Sequence, residues 1–186
     1  MKGETFVEGF TKILVQHKII KPDEAKSLKK AFKESSKANF DEFLIDEGLV
    51  EKDAVLAALS QYYHVPAFDA VGYFFDHQLV RMFPKVFLRS NAIIPIERDE
   101  NILVVLASNP NDQNLLPLIG QYVSYDIQFR VGIQQDIYDA IQEFYDQSLA
   151  SVDYDQDLDE SRQEREEDIE QQQEIEELAY KDFEEE

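Results

Sequence analysis

Cysteine is absent from this 186-residue chain, so neither a disulfide framework nor a thiolate metal site is available. Glycine is scarce. Gly3, Gly9, Gly48, Gly72, Gly120 and Gly132 are the full set, and none has the G-x-x-x-x-G-K-[ST] spacing that cradles nucleotide phosphates. His17, His64 and His77 stand alone, without a second ligand at i+3 or i+4, which argues against a helical zinc site. No Ser or Thr lies in a recognisable nucleophile elbow. Apolar runs fall short of the ~20 residues that cross a bilayer, and the opening MKGETFVEGF lacks the apolar stretch of a signal peptide. The expectation is a non-enzymatic chain with no catalytic residue, cofactor or metal and no direct membrane insertion. Its expected place is the cytoplasm.

Basic charge is also in short supply, with 18 Lys and Arg against 39 Asp and Glu, a net of −21. The imbalance is concentrated in residues 149–186, which hold 17 acidic and 3 basic side chains for a net of −14. Phosphate binding needs a dominant basic surface, so nucleic acid is not an expected partner. The acidic, Gln-rich 149–186 segment has too few apolar residues for a core and is expected to be a largely disordered tail. Residues 1–40 run the other way, with 9 basic against 5 acidic side chains.

What the chain does have is an internal repeat. A shift of thirty residues sets Phe10 on Phe40, Leu14 on Leu44, Val15 on Ile45, Ile19 on Leu49, Ile20 on Val50 and Asp23 on Asp53. Each copy reads as a helix, a short break and a second helix. Gly48 ends the third helix in the left-handed conformation, and Val55, Leu56, Leu59 and Tyr62/Tyr63 follow at helical spacing. Two such units predict a small helical domain rather than a solenoid, which needs about three repeats. In the first copy Phe6, Phe10, Ile13 and Leu14 form one face, and Pro22 opens a helix whose Ala25, Leu28, Ala31 and Phe32 turn inward. Lys26, Lys29, Lys30, Lys33 and Lys37 then make a basic stripe on the other side, either a solvated face or a docking surface for an acidic partner.

Further on, a connector and a short helix around Leu79, Val80, Met82 and Phe83 end at Pro84. Ala92–Glu97 and Ile102–Ala107 read as strands joined by the polar Arg98–Asn101 hairpin, with Pro95 demanding an edge or a bulge. Asn111 and Asp112 can cap a helix through Leu115, Leu118 and Ile119, Tyr125–Val131 alternates as a third strand, and a last amphipathic helix carries Ile133, Ile137 and Ile141. The fold class is therefore α+β: a helical subdomain over 1–70, a ββαβα subdomain over 71–148 and the tail over 149–186. Tyr73, Phe74 and Phe75 around Gly72 are either an exposed docking patch or cement between the subdomains.

The residues Gly48-Leu49-Val50, Val55, Ala58-Leu59, Gln61 and Val65-Pro66 resemble the N-terminal domain of type II secretion and type IV pilus assembly ATPases. The strands AIIPIE and LVVLASNPND and the segment IQFRVGIQQDIYDAIQEFY continue the likeness, which covers about residues 6–148. It implies an interaction and regulatory module that docks the motor to the cytoplasmic part of an inner-membrane platform protein. It also implies that an acidic linker of this kind precedes a catalytic module. The alternative is a cyclic di-GMP receptor, since some members bind that ligand through two copies of R-L-G-x-x followed by apolar pairs and a second glycine. Here the arginine positions fall on Gly9 and Asn39, the leucines on Phe10 and Phe40 and the first glycines on Thr11 and Asp41. The second glycine is kept as Gly48 against Lys18, and Asp112 matches the acid of the family's D-P-x-D turn. Two missing arginines remove the bidentate, charge-assisted contacts that suit guanine and phosphate.

Overall fold

The computed structural model describes residues 3–146, so the acidic tail lies outside the described residues. The chain divides after Glu143, and the elements below belong to the first unit except where a helix runs past that point. Four helices open the chain: α1 (Glu4–Gln16), α2 (Pro22–Glu34), α3 (Phe40–Asp46) and α4 (Lys52–Tyr63). Phe6, Phe10 and Leu14 recur every four residues, so one side of α1 is apolar and buries itself against α4. Pro22 starts α2 with its fixed φ, and the Glu24 carboxylate accepts the Lys21 N–H at 2.8 Å, satisfying an orphan donor of the first turn. Of the four residues expected to face inward from α2, Ala25 is buried, Leu28 and Phe32 are half-buried, and Ala31 is exposed. The helix lies shallowly on its neighbours.

Two short helices follow, α5 (His77–Val80) and α6 (Lys85–Asn91). The second corrects the reading of Pro84 as a terminator only. Its φ of −63° and ψ of 143° make it the N-cap of α6, a role for which its missing N–H is no loss. Strands β1 (Ile93–Asp99) and β2 (Ile102–Ala107) pair antiparallel across a turn in which Glu100 takes φ +46°. The register slips between Pro95 and Glu97, and β1 is an edge strand, so the proline finds both the edge and the bulge it was expected to need. Helix α7 (Leu115–Ile119) then leads to β3 (Asp126–Val131), which pairs parallel with β2. The N-cap of α7 is Asn114, three residues later than Asn111. A last helix, α8, covers 134–146 within the described residues.

The buried apolar cluster of α1–α4 takes in Phe10, Leu14, Phe40, Leu44, Val55 and Leu59 and extends to Val131 and Ile133 at the end of β3. Segment 66–68 lies alongside that strand: Val131 donates to Pro66 O at 3.0 Å and accepts from Phe68 N–H at 2.9 Å. The sheet and the helical repeat thus share a boundary at Val131, and that boundary positions the candidate sites.

Candidate functional site

The repeat brings the family-motif positions together in the helical core. Phe10 and Phe40 are fully buried and meet edge to face with centroids 6.4 Å apart. Thr11 is buried with its hydroxyl donated to Val7 O. Gly9 lies under the ring of Tyr62, so close that a Cβ there would stand 2.6 Å from Tyr62 Cε2. That ring is itself wedged at 4.9 Å from both Phe6 and Tyr63. Asn39 is the N-cap of α3, buried, with Nδ2 donating to Glu42 Oε2 at 3.1 Å and Gln134 Oε1 at 3.2 Å. Glu42 in turn accepts the Gln135 N–H at 3.0 Å, so the start of α3 is tied to the start of α8. Asp41 is fully buried. Burial raises the pKa of the Tyr63 phenol well above its ordinary value, and the charges of Asp41 and Tyr62 add to the shift.

Beside this cluster opens a cavity of about 390 Å³ walled by Phe6, Tyr62, Tyr63, Ser108, Asn109 and Gln134. None of its lining side chains is charged. Asp112 is not among them; its Oδ1 accepts from Asn114 N and Nδ2 at 2.9 and 3.0 Å, a local turn contact of the kind short Asx side chains make. Gly48 caps α3 with φ +64°.

Sequence reasoning overlooked Lys52. Its ammonium lies 2.7 Å from Asp69 Oδ1 and 2.9 Å from Asp136 Oδ2, joining the start of α4, the 67–70 connector and the start of α8. Burial disfavours the charged lysine, but hydrogen bonds to Asp69 and Asp136 outweigh it and raise the pKa. Burial likewise opposes ionisation of Asp69, whose pKa is nevertheless lowered by Lys52 and by the Val71 N–H. The spacing of three charges over 84 residues gives no local signal, which is why the motif is invisible before folding.

The lysine stripe is not a uniform outward face. Lys29 and Lys33 reach back to Glu8 and Glu4 of α1 at 2.7 and 3.0 Å, and Lys37 pairs with Asp46 of α3 at 2.6 Å. Lys30 lies 3.8 Å from Glu34 along its own helix, and Lys26 is exposed. The hydrogen bond from Lys29 lowers the Glu8 pKa, and that from Lys37 to Asp46 raises the Lys37 pKa. Between α1 and α2 lies an open groove of about 780 Å³ with Val7, Phe32 and Ala38 in its lining.

The aromatic trio divides. Tyr73 stacks edge-on with Phe68 and Phe75, at 5.0 and 4.9 Å, and Phe75 is half-buried. Phe74 points away and is 96% exposed. Among the described residues no group of three or more His, Cys, Asp or Glu could hold a metal ion, and no helix is long and apolar enough to cross a membrane.

Residues 63–151 match the MshEN domain family. The chain is similar to a solved structure described as MshE with cdg, at 22% identity and a TM-score of 0.59, covering 73% of this chain and 98% of that one. It is similar also to the N-terminal domain of XpsE, at 18% identity and a TM-score of 0.52, covering 76% of this chain and 97% of that one. No curated protein matches. The α+β arrangement of helical repeat and three-stranded sheet is thus a fold shared with the solved MshE structure and the N-terminal domain of XpsE.

Proposed function

We propose that the chain is a non-catalytic interaction and regulatory module of a type II secretion or type IV pilus assembly ATPase, docking the motor to the cytoplasmic part of an inner-membrane platform protein. It works in the cytoplasm, divides functionally into 1–70, 71–148 and the 149–186 tail, and reaches the membrane only through that partner. One observation carries this reading: the positions that would hold a cyclic dinucleotide are spent on the protein's own packing. Gly9 is under Tyr62, Thr11 is bonded to Val7, and Asn39 and Asp41 are buried. The adjoining cavity offers no cation to a phosphate, and a missing charged hydrogen-bond partner forfeits about 1.5–3 kcal/mol.

The second reading, a cyclic di-GMP receptor, is favoured by the MshE structure solved with cdg. Calorimetric titration at low salt separates the two. The expected result is saturable binding of the cytoplasmic domain of a platform protein and no saturable heat from cyclic di-GMP. A stoichiometric dinucleotide heat with Kd below about ten micromolar, roughly −6.8 kcal/mol, sinks the docking-module reading in favour of a ligand-gated switch.

A further inference from the structure

The turn that displays Phe74 is built rigidly. Tyr73 N–H donates to Ala70 O at 3.3 Å across Val71 and Gly72, and Gly72 takes the φ of +72° that the third position of such a turn requires. Val71 N–H donates to Asp69 Oδ1 at 3.0 Å, and Lys52 holds that same carboxylate oxygen. On the far side the Tyr73 hydroxyl donates to Ile96 O at 3.4 Å, the carbonyl of the residue that the β1 bulge leaves out of register. Phe68, Tyr73 and Phe75 brace the turn from beneath. Val71 and Phe74 are its most exposed apolar side chains, at 65% and 96%, while Tyr73 is 40% exposed. A fully exposed phenylalanine on a braced turn is an anchor whose ordering cost has been met before binding. From Phe68 to Asp76 the segment carries Asp69 and Asp76 and no basic residue.

The complement lies elsewhere on the same chain. The α1–α2 groove has an apolar floor at Val7, Phe32 and Ala38, because α2 sits shallowly. Its rim carries Lys29, Lys30, Lys33 and Lys37 against Glu4 and Glu8, a net positive lining in a chain of net charge −21. We propose that the Val71–Phe74 turn of one copy docks in the α1–α2 groove of a second copy, the aromatic on the floor and Asp76 facing the lysine rim. The two surfaces differ, so the contact is heterologous and propagates head to tail, closing into a ring or running on as a filament according to the angle between copies. This inference stands apart from the proposed function, since it needs neither a platform protein nor a nucleotide.

Sedimentation velocity on the full chain, from micromolar to submillimolar concentration, tests it. The wild-type sedimentation coefficient is expected to rise with concentration. Phe74→Ser removes the prong, and a Lys30→Glu/Ala38→Glu double variant reverses the charge and polarity of the groove; all three positions are exposed, so each variant keeps the fold, checked by circular dichroism. Each variant alone is expected to stay monomeric. An equimolar mixture is expected to form a dimer and nothing larger, because one intact prong and one intact groove remain. Wild-type protein that stays monomeric throughout, variants that associate like wild type, or a mixture that does not dimerise would each overturn the proposal.

Discussion

Lys18 and Gly48 stand thirty residues apart in the same left-handed conformation, with φ of 58° and 64°. The backbone around them repeats bond for bond. Lys18 N–H donates to Val15 O, and Ile19 and Ile20 to Leu14 O; Gly48 donates to Ile45 O, and Leu49 and Val50 to Leu44 O. One copy has the residue this conformation favours and the other does not. A non-glycine residue in the left-handed region costs about 1–2 kcal/mol, partly offset by the greater unfolded freedom of glycine. Lys18→Gly is therefore expected to raise stability by about 0.5–1 kcal/mol, and Gly48→Lys to lower it by a similar amount. Urea denaturation of both variants checks the pair, and opposite signs are the required outcome.

Glycine in the middle of a helix is ordinarily improved by alanine, by about 1 kcal/mol. Gly9 is expected to reverse that rule, because an added Cβ meets the Tyr62 ring and the ring is boxed in by Phe6 and Tyr63. Gly9→Ala should cost about 1–2 kcal/mol as overpacking. In the Tyr62→Ala background the same change should become neutral or stabilising, a coupling that a double-mutant cycle of unfolding free energies reads directly.

Leu59 is fully buried in the helical cluster with Phe10, Leu14 and Val55. Leu59→Ala is expected to cost roughly 2–5 kcal/mol, the transfer loss plus the cavity left behind. A denaturation midpoint unchanged by this substitution would show that α4 is packed through another face.

The lysine held by Asp69 and Asp136 gives stability an acid limb. Asp69 has a lowered pKa in the folded state, so its contribution is complete at neutral pH and is lost as pH falls from the ordinary carboxylate value of about 4 through the lowered one. The raised Lys52 pKa acts at the other end, its contribution lost only as pH climbs past the ordinary lysine value of about 10.4. Lys52→Met should lower neutral-pH stability by about 1–2 kcal/mol, discounted because the group is partly solvated. It should also flatten the loss between pH 5 and pH 3 (about one unit either side of the carboxylate range), measured as the midpoint of thermal unfolding against pH.

Periodicity made most of the architecture legible. The thirty-residue shift located four helices, and β-branched runs located three strands, because those patterns are written by contacts that each element makes along one face. Pro84 misled because a proline that cannot continue one helix is well suited to begin the next, and α6 turns on that second property. The lysine stripe was legible as composition but not as geometry, since Glu4, Glu8 and Asp46, which engage three of its members, come from other helices. The same holds for the aromatic trio. Only the backbone of the turn decides that Tyr73 folds under while Phe74 projects.

The bulge in β1 has a consequence for what can be added to the sheet. Pro95 has no N–H to offer a neighbouring strand, the slip beside it breaks the even row of donors and acceptors, and Tyr73 occupies the Ile96 carbonyl. The outer residues Glu97, Arg98 and Asp99 are exposed and charged. That margin is closed to cross-chain pairing and to the stacking that starts aggregation. At the opposite margin segment 66–68 engages β3 at Val131. Any strand supplied from outside would extend this sheet in one direction only, beyond β3.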